Sequence, residues 1–277
     1  MPSLLIAGSG YVGKAIQSLA LASHDVFALT KSGSEGTIAC DLSSAKAVQH
    51  LADNINEPIT HIVHCASSGR GGADAYRAVF LEGTGHLLKS FPDAKLLFVS
   101  STSVYGQIDG SIVTEESATS PDRETSRILL EAEQTVLRAG GCVTRLAGID
   151  GPGRSVILKK LLTGTAVIEE DGRRFLNQIH RDDAASAIVH LLQNTPFPSG
   201  EIFNISDSHP MSQLECYQKL SAQFSLPLPP SGPKPENRKR AWTHKKVSNE
   251  KILTTDWKPN FPSFLDASET IAPTLAL

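Results

Sequence analysis

The feature that most restricts the fold of this chain is an alternation of short apolar runs with segments of helical spacing over the first 150 residues. Runs rich in Val, Ile and Leu are typical of buried strands, and strands joined by helices must cross over and be covered on both faces. The sequence therefore predicts an α/β fold with a doubly wound parallel sheet. The predicted strands are Ser3–Ala7, Asp25–Leu29, a weaker candidate at Thr37–Cys40, His61–Cys65, Leu96–Ser100 and Cys142–Leu146, and the predicted helices are Tyr11–Ala22, Ser44–Asp53, Asp74–Phe91 and Glu124–Ala139.

The alternation ends near residue 150, after which the predicted elements are shorter. The sequence GIDGPGR at Gly148–Arg154 marks the change, and proline-rich stretches follow at Thr195–Gly200 and Pro227–Pro235. We therefore expect a strand-and-helix domain over residues 1–150 and a smaller lobe over residues 151–277, part of whose chain is free to return to the sheet.

The overall charge indicates the class of partner. The 277 residues carry a net charge of −3 and give a pI near 6.3, which argues against nucleic acid and favours a small molecule. No apolar run approaches the roughly 18 residues that a membrane span requires, and no charged leader region follows Met1. We expect a soluble cytoplasmic protein with no membrane partner.

Four cysteines, Cys40, Cys65, Cys142 and Cys216, are far apart in the sequence and form no Cys-x-x-Cys pair. No histidine stands near them at the spacing of a metal site. This pattern predicts buried thiols in a reducing cytoplasm and no bound metal.

A glycine-rich turn joins the first predicted strand to the first predicted helix. Its residues are Gly8, Ser9, Gly10, Tyr11, Val12 and Gly13, a Gly-x-Gly-x-x-Gly sequence. In this position the first glycine permits a tight turn, the second lets a pyrophosphate approach the backbone, and the third lets helix and strand pack closely. The turn therefore predicts dinucleotide binding. Together with the strand and helix pattern, it predicts a Rossmann-type doubly wound parallel sheet with a small C-terminal substrate lobe. A glycine turn with a structural role alone is the alternative.

The end of the second strand indicates which dinucleotide is bound. An acidic residue at that point binds the ribose hydroxyls of NAD, whereas a basic residue accommodates the 2′-phosphate of NADP. Lys31 and Ser32 stand there, and Glu35 comes later in a Gly/Ser loop. We expect NADP, with NAD still open, and the alternative is that Lys31 is a solvated loop residue.

Further motifs resemble those of the extended short-chain dehydrogenases/reductases, also called the NAD-dependent epimerase/dehydratase family. The resemblance rests on CDLSS at Cys40–Ser44, IVHCAS at Ile62–Ser67, FVSSTSVYG at Phe98–Gly106, TRLAGIDGPGR at Thr144–Arg154, IHRDDAASAI at Ile179–Ile188 and KKVSNEKI at Lys245–Ile252. It implies that Asp41 and Leu42 lie near the adenine and that Cys65, Ala66 and Ser67 lie beside the cofactor. It also implies a substrate cleft between the two domains and a nucleotide-linked sugar or small carbonyl compound as substrate.

The chain departs from this family where the chemistry would occur. Family members carry a Tyr-x-x-x-Lys pair on the helix after the fifth strand, where the tyrosine relays a proton and the lysine lowers its pKa. Two alignments of that helix place Thr125 and Leu129, or Arg123 and Arg127, at those positions. The asparagine of the preceding helix is also missing, and the glycine turn is one residue shorter than usual.

Three residues remain as catalytic candidates. Ser101 matches the family's catalytic Ser/Thr, with a strand-end hydroxyl that bonds the backbone as the alternative. Tyr105 is a candidate displaced acid, although a packing role is the favoured interpretation. Arg127 can position a ribose but cannot exchange a proton at neutral pH.

Two charged segments have a structural and a functional interpretation each. We expect His180, Arg181, Asp182 and Asp183 to stabilise a helix start and tie the lobes together. The basic run Lys234–Lys246 either holds the phosphates of a nucleotide-linked substrate or forms a solvated loop. The leading hypothesis is an oxidoreductase, epimerase or dehydratase, the alternative is a non-catalytic NADP(H)-binding sensor or regulatory module, and a homodimer is left open.

Overall fold

Parallel strands form the central sheet of the computed structural model, which describes residues 1–69, 71–234 and 242–277. Within those residues the sheet has seven strands in the order β12-β7-β5-β4-β1-β2-β3. They are β1 Ser3–Ala7, β2 Asp25–Thr30, β3 Ile38–Ala39, β4 His61–His64, β5 Lys95–Ser101, β7 Cys142–Leu146 and β12 Ile202–Ile205. The predicted α/β fold with a Rossmann-like parallel sheet is confirmed.

The remaining strands are short and pair in twos. They are β6 Ile112–Val113 with β15 Lys246–Val247, β8 Gly148–Asp150 with β11 Gln178–His180, β9 Ile168–Glu169 with β14 Ser231–Gly232, and β10 Phe175–Leu176 with β13 Met211–Ser212. The helices are α1 Tyr11–Ala20, α2 Ala45–Asn54, α3 Ala73–Tyr76, α4 Gly83–Ser90, α5 Glu124–Arg138, α6 Val156–Leu162, α7 Arg181–Gln193, α8 Gln213–Gln223, α9 Glu250–Leu253 and α10 Ser268–Ile271. Among the described residues, none of these helices combines the length and apolar character needed to cross a bilayer.

The sheet forms because its central strands are apolar on both faces. In β1, Leu4, Leu5 and Ile6 are fully buried, as expected for a strand that helices cover on two sides. Leu5 lies beside Phe27 of β2 and Ile62 of β4, both in parallel register. The strands predicted at Ser3–Ala7 and Cys142–Leu146 have the same bounds in the structure.

The segment predicted as one helix over Asp74–Phe91 consists of three successive pieces. Between α3 and α4 the backbone forms a π-helix over Arg77–Glu82. The hydroxyl of Thr84 donates a hydrogen bond to the Phe80 carbonyl and contacts Nδ1 of the buried His64 at 3.0 Å. The Phe80 carbonyl of the π-helix thus receives a side-chain hydrogen bond, a feature that apolar periodicity does not reveal.

Two compact units alternate along the chain. Unit 1 contains residues 1–104, 121–145 and 185–203, and unit 2 contains residues 105–120, 146–184 and 204–277. Each unit is therefore built from three separate segments of the chain, whereas the sequence-based expectation was a single division near residue 150. Strand β12 pairs with β7 at the end of the seven-stranded sheet, and the boundary between the units falls after Phe203, in the middle of this strand.

Unit 1 contains a buried ion pair that connects β5, α5 and β7. Arg145 donates from Nη2 to Glu133 at 2.6 Å, and Ser100 donates to the same carboxylate. Arg145 is 4% exposed and Glu133 is 1% exposed. A buried charge is costly without a partner, and Glu133 meets Arg145 only when α5 packs on the sheet. Loss of either side chain would therefore leave the other charge buried and unpaired.

Unit 2 contains two buried carboxyl groups with unsatisfied oxygens. Asp150 is 3% exposed, and neither carboxyl oxygen has a hydrogen-bond partner among the described residues. Asp207 is equally buried and accepts one hydrogen bond from the backbone N–H of Phe264. Burial and the proximity of Asp207 raise the pKa of Asp150 to about 8, and burial raises the pKa of Asp207 to about 7. At pH 7 Asp150 is therefore largely protonated, and Asp207 is protonated in about half of the molecules.

We predict that Asp150→Asn stabilises the protein increasingly as the pH rises from about 5 to about 8. An unfolded aspartate loses its proton near its ordinary pKa, whereas folded Asp150 keeps it up to about 8. The free energy of unfolding of the wild type therefore decreases across this range, and the asparagine removes that decrease. Thermal unfolding measures the difference, expected to reach at least about 2 kcal/mol at the upper pH. Asp93→Asn, at an exposed position, is the control, and a difference between variant and wild type that does not depend on pH contradicts the prediction.

Candidate cofactor site and catalytic residues

The turn after β1 requires glycine at two positions. Gly8 has φ +115°, and a Cβ at this residue would lie 2.3 Å from the Cα of Ala66. A Cβ at Gly13 would lie 2.1 Å from the carbonyl oxygen of Gly8. The first and third glycines are therefore required by the close approach of β1, α1 and the segment after β4.

Gly10 differs because the space beside it is open. Nothing lies within 4 Å of the position that a Cβ would take there. Gly10 also caps α1 without a side-chain hydrogen bond, and its own N–H donates to the Gly8 carbonyl at 2.8 Å. Tyr11 and Val12 are half-buried in the first turn of the helix. An uncapped helix start beside open space fits the pyrophosphate of a dinucleotide.

The predicted residues around this turn include two whose side chains support it. The Cys65 thiol donates to the Gly8 carbonyl at 3.2 Å, and burial raises its pKa to about 12. Buried Ser9 donates from its hydroxyl to Oε1 of Gln17 at 3.1 Å. Ser67 is exposed, and its hydroxyl accepts from the N–H of Gly69 at 3.2 Å.

Lys31 and Asp41 form an ion pair at the carboxyl ends of β2 and β3. Nζ of Lys31 lies 2.9 Å from Oδ2 of Asp41, and the lysine side chain is 79% exposed. Hydrogen bonds from Ser43, and then from Lys31, lower the pKa of Asp41. Ser32 is exposed next to Lys31, while Leu42 is buried and its carbonyl contacts Nδ1 of His86 at 2.8 Å. Lys31 is therefore exposed and paired, a combination that neither sequence-based interpretation included.

Ser101 lies at the end of β5, half-buried, where its hydroxyl accepts from the N–H of Ser103 at 3.2 Å. This contact is the strand-end hydrogen bond considered as the alternative to catalysis. The Ser126 hydroxyl donates to the Ser103 hydroxyl at 3.2 Å. Sequence reasoning missed Ser103 and Ser126, although Ser126 adjoins Thr125, where one alignment placed the missing tyrosine.

Leu129 and Arg127 are the two residues of α5 that the alternative alignments placed at the lysine position. Leu129 is 5% exposed and belongs to the apolar core. Arg127 is exposed, and its Nη1 donates to the carbonyls of Pro121 and Asp122 at 3.3 Å and 2.9 Å. The guanidinium of Arg127 therefore holds the loop that precedes its own helix.

Tyr105 is buried and hydrogen-bonded within unit 2. Tyr105 belongs to unit 2, is fully buried, and donates from its hydroxyl to Oδ1 of Asn204 at 2.8 Å. Its carbonyl accepts from Nζ of Lys245 at 2.8 Å. These contacts favour the packing role over that of a displaced acid. Tyr217 is also buried, whereas Tyr11 and Tyr76 are half-buried.

The cluster at the start of α7 contacts backbone groups of unit 2. The Asp183 carboxylate accepts from the N–H groups of Asn260 and Phe261 at 2.8 Å and 2.9 Å. His180 packs on the Phe261 ring, with centroids 4.2 Å apart, and its Nδ1 accepts from the N–H of Asp182. These contacts favour the interpretation that the cluster stabilises the start of α7.

The basic run Lys234–Lys246 is described in part, because residues 235–241 lie outside the described residues. Lys245 is buried, and desolvation lowers its pKa to about 8. Nζ of Lys246 lies 4.5 Å from the centroid of the Phe175 ring. Contacts within the protein therefore engage these two lysines, and the role of the run in binding phosphate stays a prediction.

Comparison with curated proteins identifies relatives for about half of the chain. Protein YeeZ of Escherichia coli is 35% identical over 139 residues, which cover 49% of this chain and 48% of that protein. The 2′-dehydrokanamycin reductase of Streptomyces kanamyceticus is 29% identical over 152 residues, which cover 49% of this chain and 43% of that protein. The chain thus spans about half the length of the curated relatives it matches.

Structural comparison and a family model extend over more of the chain. The UDP-glucose 4-epimerase of Thermotoga maritima, solved with UDP-glucose, has a TM-score of 0.81 at 16% identity and covers 99% of this chain and 98% of its own. This likeness shows the fold. A sequence model of the NAD dependent epimerase/dehydratase family matches residues 4–206. Because the match includes the glycine turn and well over half of the chain, the protein belongs to the NAD dependent epimerase/dehydratase family.

Proposed function

We propose that this protein binds NADP(H) and transfers hydride between the nicotinamide ring and a carbonyl or alcohol carbon of its substrate. The observation that carries the proposal is the open, uncapped start of α1 at Gly10, within a turn that requires glycine on either side. Such a turn accepts a pyrophosphate without rearrangement.

The residues that hold the cofactor under this proposal lie at the carboxyl ends of β1, β2, β3 and β4. The pyrophosphate binds at the backbone of Gly8, Ser9, Gly10, Tyr11, Val12 and Gly13, with Cys65 supporting the turn from behind. Lys31 and Ser32 bind the 2′-phosphate, Asp41 and Leu42 lie at the adenine, and Ala66 and Ser67 flank the cofactor. When bound, the cofactor supplies or accepts the hydride.

The proposed substrate is a nucleotide-linked sugar or a small carbonyl compound. The names of two relatives support this class: one is a UDP-glucose 4-epimerase solved with UDP-glucose, and the other is a 2′-dehydrokanamycin reductase. The hydroxyl of Ser101 is the proposed hydrogen-bond donor to the substrate oxygen, because it ends β5 on the same edge of the sheet as the glycine turn. In that role the hydroxyl would donate its hydrogen to the substrate while its oxygen continues to accept from the Ser103 N–H.

Proton transfer is the weak part of this chemistry. An alkoxide formed by hydride transfer must be protonated, and α5 carries no tyrosine. The hydroxyls of Ser101, Ser103 and Ser126 can pass a proton from water but have no pKa near neutrality. We therefore propose slow turnover of ordinary ketone substrates.

A second candidate function is a non-catalytic NADP(H) sensor or regulatory module. The observation that favours it is the burial of Leu129, because a lysine at this place would have to enter the apolar core. In this case cofactor binding would be intact, and no substrate would be turned over.

We predict that Gly10→Val abolishes cofactor binding and leaves the protein folded. The valine side chain would fill the open space where the pyrophosphate must approach the backbone. Calorimetric titration with NADPH measures binding, and thermal unfolding checks the fold. The control is Gly72→Val, because Gly72 caps α3 with nearly the same backbone angles and equally open surroundings. Normal binding by folded Gly10→Val would show that this turn does not hold the cofactor.

We predict that the wild type binds NADPH more tightly than NADH and that Lys31→Asp narrows or reverses the preference. A charged hydrogen bond to phosphate contributes about 1.5–3 kcal/mol, equivalent to about tenfold or more in Kd. Dissociation constants for both cofactors measure the effect, with exposed Lys46→Asp as the control variant. Equal constants in the wild type would remove the basis for NADP specificity.

We predict slow reduction of ketone substrates with NADPH, and a further loss of about tenfold or more in kcat on Ser101→Ala. NADPH affinity should not change, because the proposed contact is with the substrate. Exposed Ser18→Ala serves as the control. Fast turnover that survives both Ser101→Ala and Tyr105→Phe would indicate another catalytic group, whereas NADPH binding without turnover of any carbonyl tested would favour the sensor.

A further inference from the structure

A cavity separate from the proposed cofactor site lies in unit 1. It is at the amino ends of β1, β4 and β5, on the edge of the sheet opposite the glycine turn. Its volume is about 480 Å³. Three basic side chains line it, from His24, His61 and Lys95, and Leu192 and Phe197 provide an apolar wall. The cofactor proposal assigns no role to any of these residues.

The two imidazoles are held close together. His24 and His61 have ring centroids 5.9 Å apart and meet edge to face at 86°. His24 is 3% exposed, whereas His61 is half-buried and packs near the Phe197 ring with centroids 6.0 Å apart. Burial lowers the pKa of both groups, and His24 and Lys95 lower that of His61 further.

Hydrogen bonding leaves one nitrogen of His61 for a ligand. The single hydroxyl hydrogen of Thr60 is donated to the Ser3 carbonyl at 2.9 Å. When the hydroxyl donates to Ser3, its contact of 3.0 Å with Nδ1 of His61 assigns the hydrogen of the neutral ring to Nδ1, a tautomer inferred from this hydrogen-bond network. Nε2 of His61 carries the lone pair in the neutral ring and becomes a charged donor when the ring is protonated.

The cavity has an excess of basic groups. Within the described residues, no carboxylate lies within ion-pair distance of His24, His61 or Lys95, and the neighbouring Asp25 pairs with the N-terminal ammonium at 3.6 Å. Two helix ends border the cavity: at the end of α1 the Ala20 carbonyl accepts from the N–H groups of Ser23 and His24, and α7 contributes its last residues, Leu192 and Gln193, to the lining. A bound anion would relieve the repulsion among the three basic groups.

We propose that this cavity binds the phosphate group of a small organic phosphate, with Lys95 and the two imidazoles on the phosphate and Leu192 and Phe197 against the organic part. A metal ion is the less favourable occupant, because Lys95 repels a cation. In the described part of the chain there is also no group of three or more His, Cys, Asp or Glu side chains placed to hold one. This site is separate from the proposed cofactor site.

The test is a titration of the whole protein with inorganic sulfate, whose charge is constant between about pH 6 and about pH 7.5, at fixed ionic strength. Histidine ring signals in NMR spectra report on the site. We expect the signals of His24 and His61 to shift, and the Kd to be about fivefold or more lower at the lower pH, because binding takes up a proton. Phenyl phosphate should bind more tightly than sulfate, since its ring covers the apolar wall.

Variants separate the contributions of the basic groups. Lys95→Gln should weaken sulfate binding about tenfold, and His61→Gln should remove most of its pH dependence. Exposed Lys89→Gln and His50→Gln are matched controls that should bind as the wild type does. If His61→Gln does not fold, the Lys95→Gln result and the wild-type pH dependence still decide the matter. Three results would each overturn the proposal. They are NMR shifts confined to the backbone amide signals of Gly10 and Val12, a sulfate affinity that does not change with pH, and binding of Zn²⁺ in place of sulfate.

Discussion

The close approach of backbone to backbone at Gly8 is the constraint on which unit 1 depends. A Cβ on Gly8 would touch Ala66, and a Cβ on Gly13 would touch Gly8, so two strands and a helix meet here without side chains between them. The Cys65 thiol adds a hydrogen bond to the Gly8 carbonyl at the same place. Because Gly8 and Gly13 are closely packed, the open space at Gly10 has rigid surroundings. A rigid gap binds a phosphate with little loss of conformational entropy.

The ion pair of Lys31 with Asp41 affects the cofactor proposal in a way that can be judged from magnitudes. An exposed ion pair contributes about 0–1 kcal/mol, and the side chain of this lysine is 79% exposed. A charged hydrogen bond to a phosphate contributes about 1.5–3 kcal/mol. Lys31 would therefore exchange the carboxylate for the 2′-phosphate with a net gain, while Ser43 continues to hold Asp41. The pair orients the lysine without competing strongly with the cofactor.

The sequence predicts those features of the fold that depend on periodicity and on glycine. The bounds of β1 and β7 follow from their apolar runs, and Gly8 and Gly13 follow from their spacing between strand and helix. Features that depend on side chains distant in sequence were not predictable. The π-helix at Arg77–Glu82 accompanies the contact between Thr84 and His64, and the buried carboxyl pair of Asp150 and Asp207 forms only when the chain folds. Neither pair has a local pattern that would identify it.

Under the proposed function, proton transfer depends on the groups that α5 presents near the end of β5. Leu129 is part of the core, and the guanidinium of Arg127 is a cation that donates to the loop before its own helix but cannot release a proton near neutrality. Polar groups there include the hydroxyls of Ser103 and Ser126, joined by a hydrogen bond. Hydroxyls of this kind can relay a proton but cannot act as its acidic source near neutrality. Rapid reduction would therefore depend on a substrate that supplies its own acidic group, which narrows the proposed substrates to those with such a group next to the carbonyl.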